Sequence, residues 1–310
     1  MYTIFNEPRI SKNIFSSVLL NSSLLLKSLR YIKKWKIELM ISFTTNVNIL
    51  SLIISYFLLV PCIISERNNP NIYIPNKIWR FLRNKTYKLA KNLVVQTDFS
   101  KKIFSSIVNE NKIVVIPNAV DLSLLSRRVN YINRENILLT VGRLDENKNQ
   151  KLIIQAFKNL NLVNWKLFII GDGVLRNSLQ RLVKLYSLES KIFFLGNVKN
   201  ISDFYNVAKI FVFSSRSEGF PNALLEAFSF GIPCISTNCN SGPAEIISDS
   251  NSGILIDVDD IGALEQELLK LCSNEDLCKR LSINALKSAN RFSMGSILQQ
   301  WSFIINQSLR

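Results

Sequence analysis

The chain has 310 residues, enough for two domains of ordinary size. It carries 38 Lys and Arg against 23 Asp and Glu and no histidine, which excludes a Ser-His-Asp triad, a Cys-His pair and any His-ligated metal centre. All ten glycines lie at or after Gly142; at an average usage of roughly 7%, about ten more would be expected in the first 141 residues, so that half holds no Walker-type or dinucleotide-type glycine loop.

In chain order, Met1–Ser11 has charge and no apolar stretch ahead of a small-residue cleavage site, so no signal peptide is read there. Met1–Lys36 reads as a polar start followed by a basic amphipathic helix. Short strands are expected at Leu39–Phe43, Cys62–Ser65, Leu93–Gln96 and Ile113–Ile116, with helices between. The apolar run Ile49–Val60 ends at Pro61 and falls short of the ~20 residues a membrane span needs. It therefore reads as a buried helix. Pro117-Asn118 breaks the rhythm and reads as a hinge between halves.

From residue 137 the alternation is regular. Strands are expected at Ile137–Val141, Lys166–Ile170, Ile192–Leu195, Ile210–Ser214, Cys234–Thr237 and Ile254–Ile256. Helices are expected at about Lys148–Leu160, Val174–Tyr186, Ser202–Val207, Asn222–Phe230, after Gly242-Pro243, and at Ser296–Ser308. Apolar runs of four to six residues separated by helices predict a doubly wound α/β domain with a parallel sheet covered on both faces. The five cysteines form no CxxC pair and read as reduced core thiols of a cytoplasmic protein.

Charge is uneven. Residues 1–135 hold 20 basic and 7 acidic side chains, whereas residues 136–310 hold 18 and 16. The basic half includes Lys27, Arg30, Lys33, Lys34 and Lys36, then Lys77, Arg80, Arg83, Lys85, Lys88 and Lys91. This pattern is a solvated helix face or an attraction to an anionic surface, meaning lipid head groups or a phosphorylated acceptor. Nucleic acid fits poorly, because no interleaved stacking aromatics and no DNA-reading motif accompany the charge.

Ligands bind at the carboxyl ends of such strands. After the first strand of the second half comes Gly142-Arg143-Leu144-Asp145-Glu146-Asn147-Lys148. Arg143 offers a planar fork and Lys148 a point charge, a pair able to clamp a diphosphate. Gly171-Asp172-Gly173 follows the second strand and reads first as a tight turn that can pass close to a ligand. Gly196-Asn197-Val198 follows the third and suits backbone contacts to a nucleobase edge. After the fourth strand, Glu218-Gly219-Phe220-Pro221-Asn222-Ala223-Leu224-Leu225-Glu226 combines a sharp turn with a helix start. Pro221 presets the first turn, and the amides of Asn222, Ala223 and Leu224 suit a phosphate. Glu218 and Glu226 flank this start. Ionised carboxylates only accept hydrogen bonds and sugar hydroxyls donate them, so the set points to a nucleoside-diphosphate sugar.

These segments, with Ile116-Pro117-Asn118-Ala119-Val120-Asp121, Ser241-Gly242-Pro243-Ala244-Glu245-Ile246-Ile247 and Ile64-Ser65-Glu66-Arg67-Asn68, resemble the group 1 glycosyltransferases, the retaining family 4 enzymes of GT-B fold. The resemblance covers about residues 38–290. It implies two Rossmann-like domains: a partial acceptor domain over 1–117, a donor domain over 118–293 and a helix over 294–310 crossing back to the first. It implies that Arg143 and Lys148 hold a UDP- or GDP-sugar diphosphate, that Glu218 contacts the sugar and Glu226 the ribose, and that no metal takes part. The acceptor is expected to be a lipid-linked saccharide in capsule or O-antigen assembly, and the enzyme to sit peripherally at the inner face of the plasma membrane. Nothing before Leu39 matches the family's opening strand, glycine turn and helix, and its first-domain histidine is missing, so the first domain is expected to be truncated at its start. Ala119 stands where the family has glycine. Two readings stay open on the sequence: a transferase, or a truncated, inactive protein that binds nucleotide-sugar or membrane. An epimerase of the same fold would need acid and base side chains that a chain without histidine supplies poorly.

Overall fold

A computed structural model describes residues 28–70, 76–120, 134–247 and 251–309. The expectations on Met1–Ser11, on the helix up to Lys27 and on Asp121 lie outside the described residues. The chain divides into two compact units. The first runs to Pro117 and resumes at Leu298, and the second is Asn118–Ile297.

In the first unit, β1 (Met40–Phe43), β2 (Cys62–Ser65), β3 (Asn92–Val95) and β4 (Ile113–Val115) form one parallel sheet in sequence order. Helices α1 (Thr45–Leu58), α2 (Lys77–Thr86) and α3 (Asp98–Phe104) make the crossovers. Thr97 caps α3 by accepting from the Ser100 amide, and Asn76 caps α2 by accepting from the Trp79 amide. Ile49, Leu52, Ile64, Tyr87, Leu93, Val95 and Phe104 fill the core.

A polar cluster is buried at the carboxyl ends of β1 and β2. Ser42 Oγ donates to Asn48 Oδ1 at 2.8 Å, and Asn48 Nδ2 to the Ser65 carbonyl at 2.9 Å. The Glu66 carboxylate accepts from Tyr87 Oη and, at 3.1 Å, from Thr45 Oγ1. Next to it, the Arg67 guanidinium lies 5.3 Å from the Phe43 ring and 6.0 Å from the Trp301 ring.

In the second unit, β5 (Glu135–Val141), β6 (Lys166–Ile170), β7 (Ile192–Gly196), β8 (Ala208–Phe213), β9 (Cys234–Thr237) and β10 (Ile254–Ile256) form a parallel sheet ordered β10-β9-β8-β5-β6-β7. This is the dinucleotide-fold order, and the direction of winding reverses between β5 and β8. Successive side chains of a strand face opposite ways, and the core divides accordingly. Leu138, Ile210 and Val212 join α4 (Gln150–Leu160) and α9 (Ile261–Ser273) on one face. Ile137, Leu139, Phe211 and Phe213 join α6 (Ile201–Val207) and α7 (Asn222–Ser229) on the other.

The remaining helices are α5 (Arg176–Leu185), α8 (Pro243–Ile246), α10 (Glu275–Ala289) and α11 (Met294–Ser308). Helix α7 stops where its glycine predicts: Gly231 is left-handed at φ 67°, and the Ile232 amide returns to the Ala227 carbonyl at 3.1 Å. Arg134, buried just before β5, donates to the carbonyls of Tyr205, Ala208 and Phe230, the last at 2.7 Å. It ties the ends of α6 and α7 to the sheet. Helices α9 and α10 had no sequence expectation. Their apolar positions pack against α4 and α7, elements more than 45 residues away in the chain.

Burial raises the Glu66 carboxyl above its ordinary 4.5, partly offset by the Tyr87 and Thr45 hydrogen bonds. Folding therefore favours its protonated form. That contribution is present below pH 4.5 and is lost as pH rises through the raised folded value. Glu66→Gln should be more stable than the parent at pH 7, with the difference shrinking toward pH 4.5. Thermal unfolding of both proteins across that range checks the sign.

Candidate functional site

The loops after β5, β6, β7 and β8 meet at the carboxyl edge of the second sheet. Their closeness starts from glycine. A Cβ on Gly171 (φ 126°) would lie 2.0 Å from the Gly142 carbonyl oxygen, and one on Gly173 would lie 2.4 Å from that of Leu144. The Gly171 amide donates to the Gly196 carbonyl at 2.8 Å. Three backbones thus touch where side chains would have held them apart. Above them lies a hollow of about 270 Å³ lined by Gly142, Arg143, Gly171, Asp172, Asn197 and Val198, with Val141, Ile170 and Ile201. A hollow of about 350 Å³ opens at the other end of the sheet, beside Arg134, Asn136 and Lys166. Parallel sheets take ligands at their carboxyl ends, so the smaller hollow is the candidate site.

The loop after β5 is stitched to the loop after β8. Asn147 Nδ2 donates to the Ser217 carbonyl at 2.8 Å, and the Arg216 amide donates to the Asn147 carbonyl at 2.8 Å. Ser214 Oγ donates to the Lys148 carbonyl at 2.7 Å. Asp259 accepts from Asn149 Nδ2 at 2.7 Å and from Arg216 Nε at 3.0 Å. Asn149, left-handed at φ 50°, turns the chain into α4.

This stitching places Lys148 Nζ 2.5 Å from Glu218 Oε1 and 5.1 Å from the Phe213 ring centroid. The two side chains are only 18% and 12% exposed. The Lys148 stem lies along Gly142, whose absent side chain leaves the room. Arg143 behaves differently: its side chain is 81% exposed and its Nε lies 3.4 Å from Asp145 Oδ2. Lys148 is thus gathered with Glu218, while Arg143 stands at the rim of the hollow. Next to Glu218, burial and the Glu218 charge push the Cys239 thiol up to about 12, which keeps it protonated and unsuited as a nucleophile.

Helix α7 begins at Asn222 with Pro221 as its cap residue and no side-chain cap. The amides of Asn222, Ala223 and Leu224 lie in its first turn, where no intrahelical acceptor is available. The turn before it is clamped from the loop after β9. Ser241 Oγ donates to the Gly219 carbonyl at 2.8 Å, and Gly242 (φ 101°) lies against Pro221, where a Cβ would come within 2.4 Å of its Cδ. Phe220 is buried against Phe292. Asn118 Nδ2, just ahead of the Val120 bridge to Ser293, donates to Asn222 Oδ1 at 2.6 Å.

Glu226 lies one turn further on, half-buried, and Tyr205 Oη donates to its Oε2 at 2.9 Å. Burial raises the Glu226 carboxyl, and the Tyr205 bond lowers it in part. Tyr205 itself is pushed well above its ordinary value by burial and by the Glu226 charge, so it remains the donor. Sequence reading singled out neither Tyr205 nor Ser241, Asn147, Arg216 and Asp259 as site residues. Tyr205 falls there only within the short helix expected at Ser202–Val207. Among the described residues, no three Asp, Glu or Cys side chains converge to hold a metal ion, and no helix is long and apolar enough to cross a membrane.

The pattern of the family described as "Glycosyl transferases group 1" matches residues 125–288. The chain is also 34% identical over 280 residues to the GalNAc-alpha-(1->4)-GalNAc-alpha-(1->3)-diNAcBac-PP-undecaprenol alpha-1,4-N-acetyl-D-galactosaminyltransferase of Campylobacter jejuni, covering 88% of this chain and 76% of that one. The chain belongs to the group 1 glycosyltransferases. The amylovoran biosynthesis glycosyltransferase AmsD of Erwinia amylovora is 31% identical over 71% of this chain. That alignment spans 63% of AmsD, so this chain matches less than two thirds of that relative. Among solved structures, Anabaena HepE in complex with UDP superposes with a TM-score of 0.83 at 17% identity, over 92% of this chain and 82% of that one. That likeness is one of fold, and the two parallel α/β units are those of the GT-B class of glycosyltransferases.

The backbone contact at Gly171 gives a direct test. Gly171→Ala should destabilise the second unit by at least about 3 kcal/mol, since both the left-handed φ and the Gly142 carbonyl oppose a methyl group. Denaturant unfolding measures it; a midpoint equal to the parent's would show that the strand ends can separate freely.

Proposed function

We propose that this glycosyltransferase moves a sugar from a nucleoside-diphosphate sugar to a lipid-linked saccharide, with retention of anomeric configuration, in bacterial surface-polysaccharide synthesis. The observation that carries the reading is the Lys148–Glu218 pair, just ahead in the chain of a helix start that has no side-chain cap. A half-buried lysine poised on a carboxylate can exchange that partner for a diphosphate oxygen, which frees Glu218 to accept from sugar hydroxyls. Arg143 at the rim supplies a second cation, the amides of Asn222, Ala223 and Leu224 the remaining donors, and Glu226 accepts from the ribose diol. Gly171, Gly173, Asn197 and Val198 leave the backbone open for the base.

In this scheme the acceptor hydroxyl attacks the anomeric carbon from the face the leaving group departs. The carbon–oxygen bond to the distal phosphate breaks, and the hydroxyl proton passes to that phosphate oxygen. Lys148, Arg143 and the helix amides stabilise the charge growing on the diphosphate, the main catalytic contribution. No metal ion is assigned a role. The C. jejuni relative's undecaprenol-linked acceptor supports a polyprenyl-diphosphate saccharide here, and the UDP held by HepE makes UDP the first nucleotide to try, ahead of GDP.

Release of UDP or GDP from a panel of sugar nucleotides, with and without a polyprenyl-diphosphate saccharide, tests the proposal. Donor binding without turnover on any pair would favour the second reading, a nucleotide-sugar binder. Lys148→Ala should weaken UDP binding by about 2 kcal/mol, the scale of a charge-assisted contact. Glu218→Ala should chiefly remove transfer and Glu226→Ala chiefly affinity, and titration calorimetry beside initial rates separates the two.

Glu226 must be ionised to accept from the diol, and burial holds its pKa above the ordinary 4.5. UDP affinity should therefore climb as pH rises from 4.5 toward neutrality. Tyr205→Phe removes the bond that favours the charged form and should shift that climb to higher pH. An unchanged pH profile in Tyr205→Phe would remove Tyr205 from the site.

A further inference from the structure

Lys148 and Glu218 stand on two loops, and a third loop holds both. Asp259, between β10 and α9, takes a side chain from each of them. Its Oδ1 accepts at 2.7 Å from Asn149 Nδ2, on the residue after Lys148. The same oxygen accepts at 3.0 Å from Arg216 Nε, two residues before Glu218, and Oδ2 accepts from that Nε at 3.1 Å. Arg216 Nη2 lies 3.0 Å from Oδ1, and its Nη1 donates to the Glu146 carbonyl at 2.9 Å. One carboxylate thus joins the segments that carry the two halves of the pair. Asp259 itself does not line the hollow.

The anchor is well founded. Asp259 is left-handed at φ 63°, as Asn149 is at φ 50°, and Asp and Asn are the side chains that best tolerate this backbone. The next residue, Asp260, caps α9 by accepting from the Ala263 amide at 2.8 Å. Helices α4 and α9, which begin just after Asn149 and Asp260, pack against each other on one face of the sheet. From the other side, Ser214 Oγ donates to the carbonyls of Lys148 and Asn149 at 2.7 and 3.1 Å. The Lys148 backbone is therefore referred to two packed helices through Asp259.

We propose that Asp259 is a positioning residue for the transfer reaction. It acts through Asn149 on Lys148 and through Arg216 on Glu218, and it touches neither donor nor acceptor. A lysine is a point charge on a flexible stem, so its effect on a phosphate depends on where its backbone is held. The side chains of Arg216 and Asp259 are 41% and 50% exposed, and ion pairs so open to water contribute little to global stability. Their geometric effect on the two loops is the larger one. The role rests on the reading of Lys148 as a diphosphate ligand and deepens it by naming what holds that lysine in place.

A double-mutant cycle on UDP binding, measured by titration calorimetry with thermal unfolding alongside, tests the role. Asp259→Gly removes the carboxylate, and glycine accepts the left-handed backbone without strain. It should weaken UDP binding about tenfold, within the range of coupled neighbours, while the melting temperature stays near the parent's. In a Lys148→Ala background the same change should have almost no effect, because the side chain it positions is gone. Asp259→Asn keeps an acceptor for Asn149 and should fall between parent and Asp259→Gly. Should Asp259→Gly fail to fold, Asn149→Gly removes the same bond from its other end, again at a left-handed position, and enters the same cycle.

Equal losses in the two backgrounds would mark Asp259 as a general structural residue and overturn the proposal. Parent-like UDP affinity in folded Asp259→Gly would overturn it as well. Parent-like affinity in Lys148→Ala alone would instead bring down the diphosphate reading of that lysine, and the positioning role with it. The single lysine variant thus separates failure of the underlying reading from failure of the role assigned to Asp259.

Discussion

The close approach of three glycine backbones at the carboxyl edge of the second sheet is the constraint on which the rest of the site depends. Gly142, Gly171 and Gly196 end adjacent strands, and the carbonyl of the first occupies the space a Cβ on the second would need. With no side chains there, the strand ends converge, the hollow forms above them, and the Lys148 stem can lie along Gly142 toward the β8 loop. The hollow lies over the ends of β5, β6 and β7, beside the winding reversal between β5 and β8.

Upon that base the charges are held by short polar ties. Asn147, Ser214, Arg216 and Asp259 lock the β5 and β8 loops together, so Lys148 and Glu218 face each other at 2.5 Å in direct contact. A pair so desolvated contributes little net stability against an apolar alternative of the same shape. Tyr205 holds Glu226 in the same unit by donating to one of its carboxylate oxygens.

The first unit is organised around a different problem. Its sheet ends in a buried carboxylic acid satisfied by Tyr87 and Thr45, and an arginine lodged against two aromatic rings. Its outer helices carry cations and exposed apolar side chains together. Both features come from a stretch almost without acidic residues, so the electrostatics of this unit are set by composition before any contact is made.

Much of this was legible in the amino-acid order, because it depends on near neighbours. Apolar runs of strand length located the sheets, and Pro221 and Gly231 bounded α7 to within a residue. The glycines marked the strand ends, and the segments around Arg143, Lys148, Glu218 and Glu226 carried the family. The Gly171–Asp172–Gly173 segment, read first as a tight turn, admits the Gly142 and Leu144 backbones where a Cβ would collide with them. Partners far apart in the chain were not legible. Lys148 and Glu218 are separated by 70 residues, Asn149 and Asp259 by 110, and Tyr205 and Glu226 by 21 across a strand and a loop. Nothing local shows that Arg143 stays in solvent while Lys148 is drawn onto a carboxylate, or that Phe81 faces outward while Leu93 is buried. Local order sets backbone preference and side-chain chemistry. Which of those side chains share a dielectric, and which face water, follows from strand order and packing alone.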